Sequence, residues 1–509
     1  MASTYTGFDK ILEDYVGGHG FYQLKTTLIM ALPHQLTSLI IYLVIFSADE
    51  PKHRCQISLC ENEEMTEENI FGLDWLDFAI PKSNGTSNFL AEKPDFDSCK
   101  MYAPVESATQ CRPESFSGLT QTCSEFVYDT TYFTETLVTK LNLVCERENL
   151  KKLLKTILIL GLLFGSMVGG WIGDRFGRKK ASFLPSLIWI PTVVGAGFVN
   201  SFEAYATLHF IYTACLPLDW INNTVYLTEI YSPGWRYSFT IANYLPLGSL
   251  TLAAIAYLCN TYTMMHVTIG LICALILPLY FCVPESPRWL AQNGYKEKAL
   301  EVILNIAKCN NEEISETDHQ EIEAIIQEIA NENDKKSEKY TPLDLFKHGQ
   351  WKTTLVLSYT WISVCISYFA LSLNSSDLHG DIYINYILSR LTNILVIPCI
   401  LGPNIYFGLC LSLATGQTLL GLSCVGLAFI PKEHNLAVLV VYLLSVTIAT
   451  TSLYYLLHKW YSYLNNLDFS RFRQCLLLHR RTVPNQFEIS SHRISIHGGE
   501  NILCLCSLS

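Results

Sequence analysis

Long apolar runs separated by polar stretches dominate this chain. In the first 283 residues the runs fall at about 24–47, 152–172, 181–199, 203–227, 238–259 and 264–283. Most reach the ~20 residues that an α-helix needs to cross the hydrocarbon core of a bilayer. Further runs follow at about 352–373, 404–430 and 435–457, and Tyr383 opens another between them. The pattern predicts an all-α membrane protein with a six-helix N-terminal lobe (1–283) and a second lobe of four helices (352–457). Two long polar stretches interrupt the runs, 48–151 and 284–351. In the second, Lys296 to Lys308 and Glu316 to Glu332 carry apolar residues at helical spacing. This predicts amphipathic helices against a membrane face, joining the lobes. No apolar span is seen beyond Asn466, so a cytosolic tail is expected at 458–509, with Arg471, Arg473, Arg480, Arg481 and Arg493.

Composition agrees with the pattern. Half of the 509 residues are apolar and only 16% are charged, too few for an ordinary soluble chain of this length. The net charge of −11 argues against nucleic acid and reflects the two polar stretches. The first run, near Leu24, is long enough to span, so it is read as the first membrane helix and not as a cleaved leader.

Between the second and third runs lies Gly169-Gly170-Trp171-Ile172-Gly173-Asp174-Arg175-Phe176-Gly177-Arg178-Lys179-Lys180. Glycine lets two helix ends approach closely. Four cations beside one acid mark a cytosolic turn by the positive-inside rule. Asp174 there is costly unless it has a partner. With the N-terminus in the cytosol, 48–151 then lies outside, and both 228–237 and 284–351 lie inside. The outer stretch holds Cys55, Cys60, Cys99, Cys111, Cys123 and Cys145. An even count in an oxidising compartment predicts a disulfide framework, with fifteen pairings open. Asn84-Gly85-Thr86 is a glycosylation acceptor in the same stretch; Asn374 is a weaker one, and Asn222 falls within a predicted helix.

The glycine-basic turn resembles the loop between the second and third helices of major facilitator transporters. Four more segments narrow the resemblance: Pro51-Lys52-His53-Arg54-Cys55, Leu141-Asn142-Leu143-Val144-Cys145-Glu146, the pair Glu229 and Arg236, and Pro284-Glu285-Ser286-Pro287-Arg288-Trp289-Leu290. In this order, and with a cysteine-rich outer loop, they resemble solute carrier family 22, the organic cation, anion and carnitine carriers. The resemblance covers about residues 1–395. It implies a twelve-helix fold at the plasma membrane, where ten helices are visible here. It also departs in places. Asn393 stands where the family carries an acid, and Leu401-Gly402-Pro403-Asn404 has no cation where a second basic turn is expected.

The resemblance implies an inner gate built from Gly169, Gly173, Asp174, Arg175, Gly177, Arg178, Glu229, Arg236, Glu285 and Arg288, whose ion pairs form and break between rigid lobes. For substrate, Asp219, Asn222, Asn223 and Tyr226 recur at helical spacing and are expected to share a face toward protein or a cavity. Trp220, Trp361, Tyr368 and Tyr383 match cavity aromatics of the family's cation carriers. Such faces attract an amine by roughly 0.5–2 kcal/mol each, and Asp219 would add a counter-charge. The expected function is therefore facilitated transport of small organic ions, cations before anions or zwitterions. The alternative is a form that binds ligand, or modulates a full-length carrier, without transporting. The expected partners are a small organic ion, the lipid bilayer and a second copy through the outer loop. No catalytic group, metal or other cofactor is expected, since no phosphate-binding loop or metal-ligand spacing occurs.

Overall fold

The computed structural model describes residues 7–61, 73–82, 96–105, 110–233, 235–236, 247–335, 351–375, 378, 380–392, 409–430 and 435–466. Contacts divide the chain into 1–456 and 457–509, and of the latter only 457–466 is described, as the end of the last helix. Asn84 and Asn393 lie outside the described residues.

Helices dominate. The first span is α1 (Phe21–Ser47) and the second α2 (Glu148–Phe176). The third expected span is two pieces, α3 (Arg178–Phe183) and α4 (Ser186–Ala196), because Pro185 stands at the junction and cannot continue the hydrogen-bond ladder. The fourth span is α5 (Phe202–Ile230), started by Ser201, whose Oγ accepts from Ala204 N at 3.3 Å. Two shorter helices follow, α6 (Leu247–Leu258) and α7 (Tyr262–Ala274). The expected sixth run ends as a 3₁₀ turn at Leu277–Cys282, not as α-helix. Three helical segments among the described residues are long and apolar enough to cross a membrane: Phe21–Ser47, Cys145–Phe176 and Tyr262–Cys282.

Between α2 and α3 the chain turns tightly at the glycine-basic stretch. α2 runs through to Phe176, and α3 resumes at Arg178. Gly177 alone makes the turn, with φ at +103°, a conformation only glycine adopts freely. Along α2, Gly161, Gly165, Gly169 and Gly173 recur every fourth residue and face α5. At Gly165 an added Cβ would collide with the Ala214 carbonyl and Pro217. The seam lets the two backbones touch.

The polar stretches are folded as well. β1 (His53–Cys55) pairs antiparallel with β4 (Phe126–Tyr128), and β2 (Lys100–Pro104) with β3 (Phe116–Thr122). Disulfides join Cys55 to Cys123, Cys60 to Cys111 and Cys99 to Cys145. Beneath them Ile57, Leu76, Ala79 and Ile80 form a small core. The later stretch holds α8 (Pro287–Gln292), α9 (Lys296–Cys309) and α10 (Glu316–Lys335), close to the expected helices. Their apolar faces are covered by the N-terminal segment: Phe8, Ile11, Leu12 and Val16 pack on Trp289, Ile303, Ile306, Ile322 and Ile326. The second half contributes α11 (Trp351–Leu373), α12 (382–392), α13 (Leu409–Phe429) and α14 (Asn435–Asn466).

Candidate functional site

Charged residues gather where α2 meets α3. Arg178 is buried and bonds both Glu229 (Nε and Nη2 to Oε1, 3.2 Å each) and Asp174 (Nη1 to Oδ1, 2.5 Å). Arg236 is buried too and donates to Asp9 Oδ1 at 2.5 Å, and to the carbonyls of Thr228 and Tyr231. Arg288 reaches the same Asp9 oxygen at 3.2 Å. The local sequence around Glu285 explains its place. Ser286 caps α8, accepting from Trp289 N at 3.3 Å, and Pro287 fills the first helical position, where no amide donor is needed. This turns the Glu285 carboxylate back to accept from Lys179 N at 2.8 Å and Ser286 N at 3.1 Å. Burial raises the Glu285 carboxyl above the usual carboxylate range, and these amide donors pull it partly back. Trp289 Nε1 donates to the Asp174 carbonyl at 2.9 Å, tying α8 to the turn.

A second constellation joins the first-half helices to the later ones. Tyr42 on α1 shares a hydrogen bond of 2.6 Å with Tyr368 on α11. Tyr386 on α12 donates to the Ser249 carbonyl on α6 at 2.9 Å. Arg390, also on α12, is fully buried and lies over the Tyr42 ring at 4.3 Å and the Tyr386 ring at 5.5 Å. Toward the disulfide-bearing end, Tyr383 stacks on Phe46 at 5.6 Å and touches Tyr132, Phe133 and Tyr257. Lys155 on α2 donates to Asn374 Oδ1 at 2.5 Å at the end of α11.

A sequence model of the family described as "Sugar (and other) transporter" matches residues 114–440. Solute carrier family 22 member 4 of Mus musculus is 30% identical over 368 residues, 69% of this chain and 63% of the relative. Member 13 of Homo sapiens is 26% identical, covering 82% of this chain and 73% of its own. The organic cation transporter protein of Drosophila melanogaster is 25% identical, covering 84% and 76%. The chain belongs to the sugar (and other) transporter family. Its fold is that of the major facilitator superfamily, shared with the proton:xylose symporter XylE bound to 6-bromo-6-deoxy-D-glucose (TM-score 0.54, 16% identity, 86% of this chain and 80% of that one). The relatives named above are solute carriers and an organic cation transporter, and the structural neighbour is a symporter. The chain spans 63% of the length of the mouse relative.

Within this family chain, the structure redistributes the expected site residues. The polar residues of α5 do not line one open face. Asp219 is buried and accepts from Ser182 Oγ on α3 at 2.8 Å. Asn222 donates to the Gly169 carbonyl on α2 at 3.1 Å. Asn223 bonds the Met30 carbonyl on α1, and Tyr226 donates to the Pro284 carbonyl at 3.2 Å. Four side chains thus tie α5 to four different segments. Trp220 packs against the main core. Trp361 and Tyr368 are half-buried on α11. Asp174 does not need shelter: its side chain is 73% exposed, and Arg178 one turn on neutralises it. Arg175 lies over the rings of Trp171 and Phe176 at 5.3 and 5.8 Å. Glu229 meets Arg178 and not Arg236, while Glu285 meets amides and not Arg288.

Sequence reasoning missed Asp9, which receives Arg236 and Arg288. The apolar Phe8, Ile11 and Leu12 around it were the available signal. It also missed Arg390, a lone cation inside an apolar run. His53, Cys99 and Cys145 come together, but the two cysteines are spent in one disulfide and offer no thiolate for a metal.

Proposed function

We propose that this chain carries small organic ions across the plasma membrane by alternating access, without hydrolysing a nucleotide. The observation that carries the reading is the polar junction of Tyr42, Tyr368, Tyr386 and Arg390 between the first six spans and the later helices. Carriers built from repeated halves bind near the bilayer midplane at such a junction and rock one half against the other. In this reading 1–283 is one six-helix lobe, 284–351 the loop that joins it to the second, and 352–457 the later lobe. The charged end faces the cytosol with both termini, and the disulfide-bearing insert faces outward, where Asn84 is glycosylated. Arg178, Glu229, Asp174, Arg236, Arg288, Asp9 and Glu285 form the inner gate, with Gly177 as the hinge point and Arg175 facing the headgroups. Trp220, Trp361, Tyr368 and Tyr383 supply aromatic surface to the substrate, whereas Asp219 and Asn223 serve to hold α5.

The test is uptake by cells displaying the chain, with labelled tetraethylammonium and labelled hippurate as cation and anion. Saturable uptake of either above control is expected. Surface expression with uptake of neither supports the second reading, a non-transporting binder or modulator. That reading is favoured by one feature: the second basic turn expected at 401–404 has no cation.

A further inference from the structure

We propose that Arg390, caged by Tyr42, Tyr368 and Tyr386, binds the carboxylate of an organic anion with an aromatic or apolar body. This rests on the carrier reading above and decides the charge of its substrate. Arg390 is fully buried. Its Nη2 donates to Ser389 Oγ at 2.9 Å, a neutral partner. Its Nε and Nη1 have no acceptor among the described residues. A guanidinium cannot shed its charge as a buried lysine can. In a low-dielectric setting such a cation stays costly until an anion reaches it.

The surroundings make a binding site the better account than a packing accident. The rings of Tyr42 and Tyr386 present their electron-rich faces to the guanidinium at 4.3 and 5.5 Å, which steadies the cation without cancelling its charge. Tyr42 is held by its hydroxyl contact to Tyr368, and Tyr386 by the Ser249 carbonyl, so the cage is fixed from α1, α6 and α11 together. Those elements belong to both halves, so a ligand seated on Arg390 touches whatever moves between them. An ionisable side chain inside a membrane bundle marks a pathway far more often than it marks structure. Phe46 and Tyr383 extend the aromatic surface from Tyr386, giving a place for an aryl group. An organic cation fits poorly here. It would approach Arg390 as a like charge, and the carboxylate proposed from sequence, Asp219, is turned toward Ser182.

The test uses the purified full chain in detergent, with hippurate as the anion probe and tetraethylammonium as the cation. Thermal stability is titrated against each. Hippurate is expected to raise the melting temperature of the natural chain and tetraethylammonium to leave it unchanged. Arg390→Gln is expected to weaken apparent hippurate affinity at least tenfold, and Arg390→Lys to restore part of it. Equal hippurate affinity in the natural chain and Arg390→Gln overturns the proposal. Stabilisation by tetraethylammonium in preference to hippurate overturns it in the natural chain alone, whether or not the variant folds. Uptake separates the two readings. Transport of tetraethylammonium without hippurate binding removes the arginine site and keeps the carrier. Hippurate binding without uptake keeps the site and removes the carrier.

Discussion

Gly165 and Arg178 show how single residues set the first half. Gly165 lies on α2 where the Ala214 carbonyl and Pro217 leave no room for a side chain. Gly165→Val is expected to push α2 from α5 and cost about 1–3 kcal/mol, seen as a lower melting temperature in detergent. Gly170, beside the same seam but with nothing within 4 Å of its added Cβ, should tolerate alanine. If both substitutions cost the same, close packing is not the reason for the glycine period. Arg178 is buried between Glu229 and Asp174. Removing Glu229 leaves that cation with the exposed Asp174 alone. Glu229→Ala is expected to cost about 3 kcal/mol, since breaking a buried pair strands a charge. Arg178→Ala in the Glu229→Ala background should then add little. Additive losses would argue that the two residues do not act as a pair.

Elements carry the next set of properties. The insert between α1 and α2 has a small core, and three disulfides close separations of 46 to 68 residues. Loops of that length restrict the unfolded chain by about 4 kcal/mol per bridge in the chain-entropy picture. Cys55→Ser is expected to lower surface expression and make the insert susceptible to protease, whereas Cys309→Ser, an exposed free cysteine, leaves both unchanged. His53 gives the insert a pH dependence. Burial lowers its folded pKa below the ordinary 6.5, so folding favours the neutral ring. Glu50 opposes this, and Lys151 reinforces it. The unfolded chain therefore binds more protons below about pH 6.5, and stability falls as pH drops through that value. His53→Gln should flatten the fall in melting temperature between about pH 7 and 5. An unchanged slope would show that another group controls it.

The same level shows what was legible and what was not. The runs at 24–47 and 352–373 agree with Phe21–Ser47 and Trp351–Leu373 within a few residues, because hydrophobic length reports a buried helix directly. The run at 181–199 concealed a break at Pro185, since a proline junction does not alter average hydropathy. Lys296 to Lys308 was readable from its period, but its partner was not. The segment 8–16 is too short to show a helical period, yet it buries Phe8, Ile11 and Leu12 against that helix. Asn310 fastens them, donating to the Val16 carbonyl at 2.7 Å and accepting from Tyr22 N at 2.9 Å.

For the whole molecule, the junction between halves is where the proposed function is decided. Tyr42 and Tyr368 sit on helices more than three hundred residues apart and meet at 2.6 Å. Alternating access requires such contacts to change as the halves rock. Tyr42→Cys combined with Tyr368→Cys, joined by a bismaleimide spacer, is expected to stop uptake while surface protein is unchanged. Continued uptake after complete cross-linking would mean that α1 and α11 do not move apart.

The apolar runs, the glycine-basic turn and the six cysteines determined the class of protein, its family and the existence of a cross-linked insert. These are properties of local composition and spacing, and they survive without knowing what touches what. Partnership lay beyond the sequence. Asp219, Asn222, Asn223 and Tyr226 share a helical period, yet each bonds a different neighbour, because which segment passes over each of them is set by tertiary packing and not by spacing along the helix. Asp9 takes Arg236 and Arg288 from far along the chain, and Arg390 enters a cage drawn from two halves. Charge pairing and desolvation depend on distances that only the folded chain creates, and the proposal of an anionic substrate rests on those contacts.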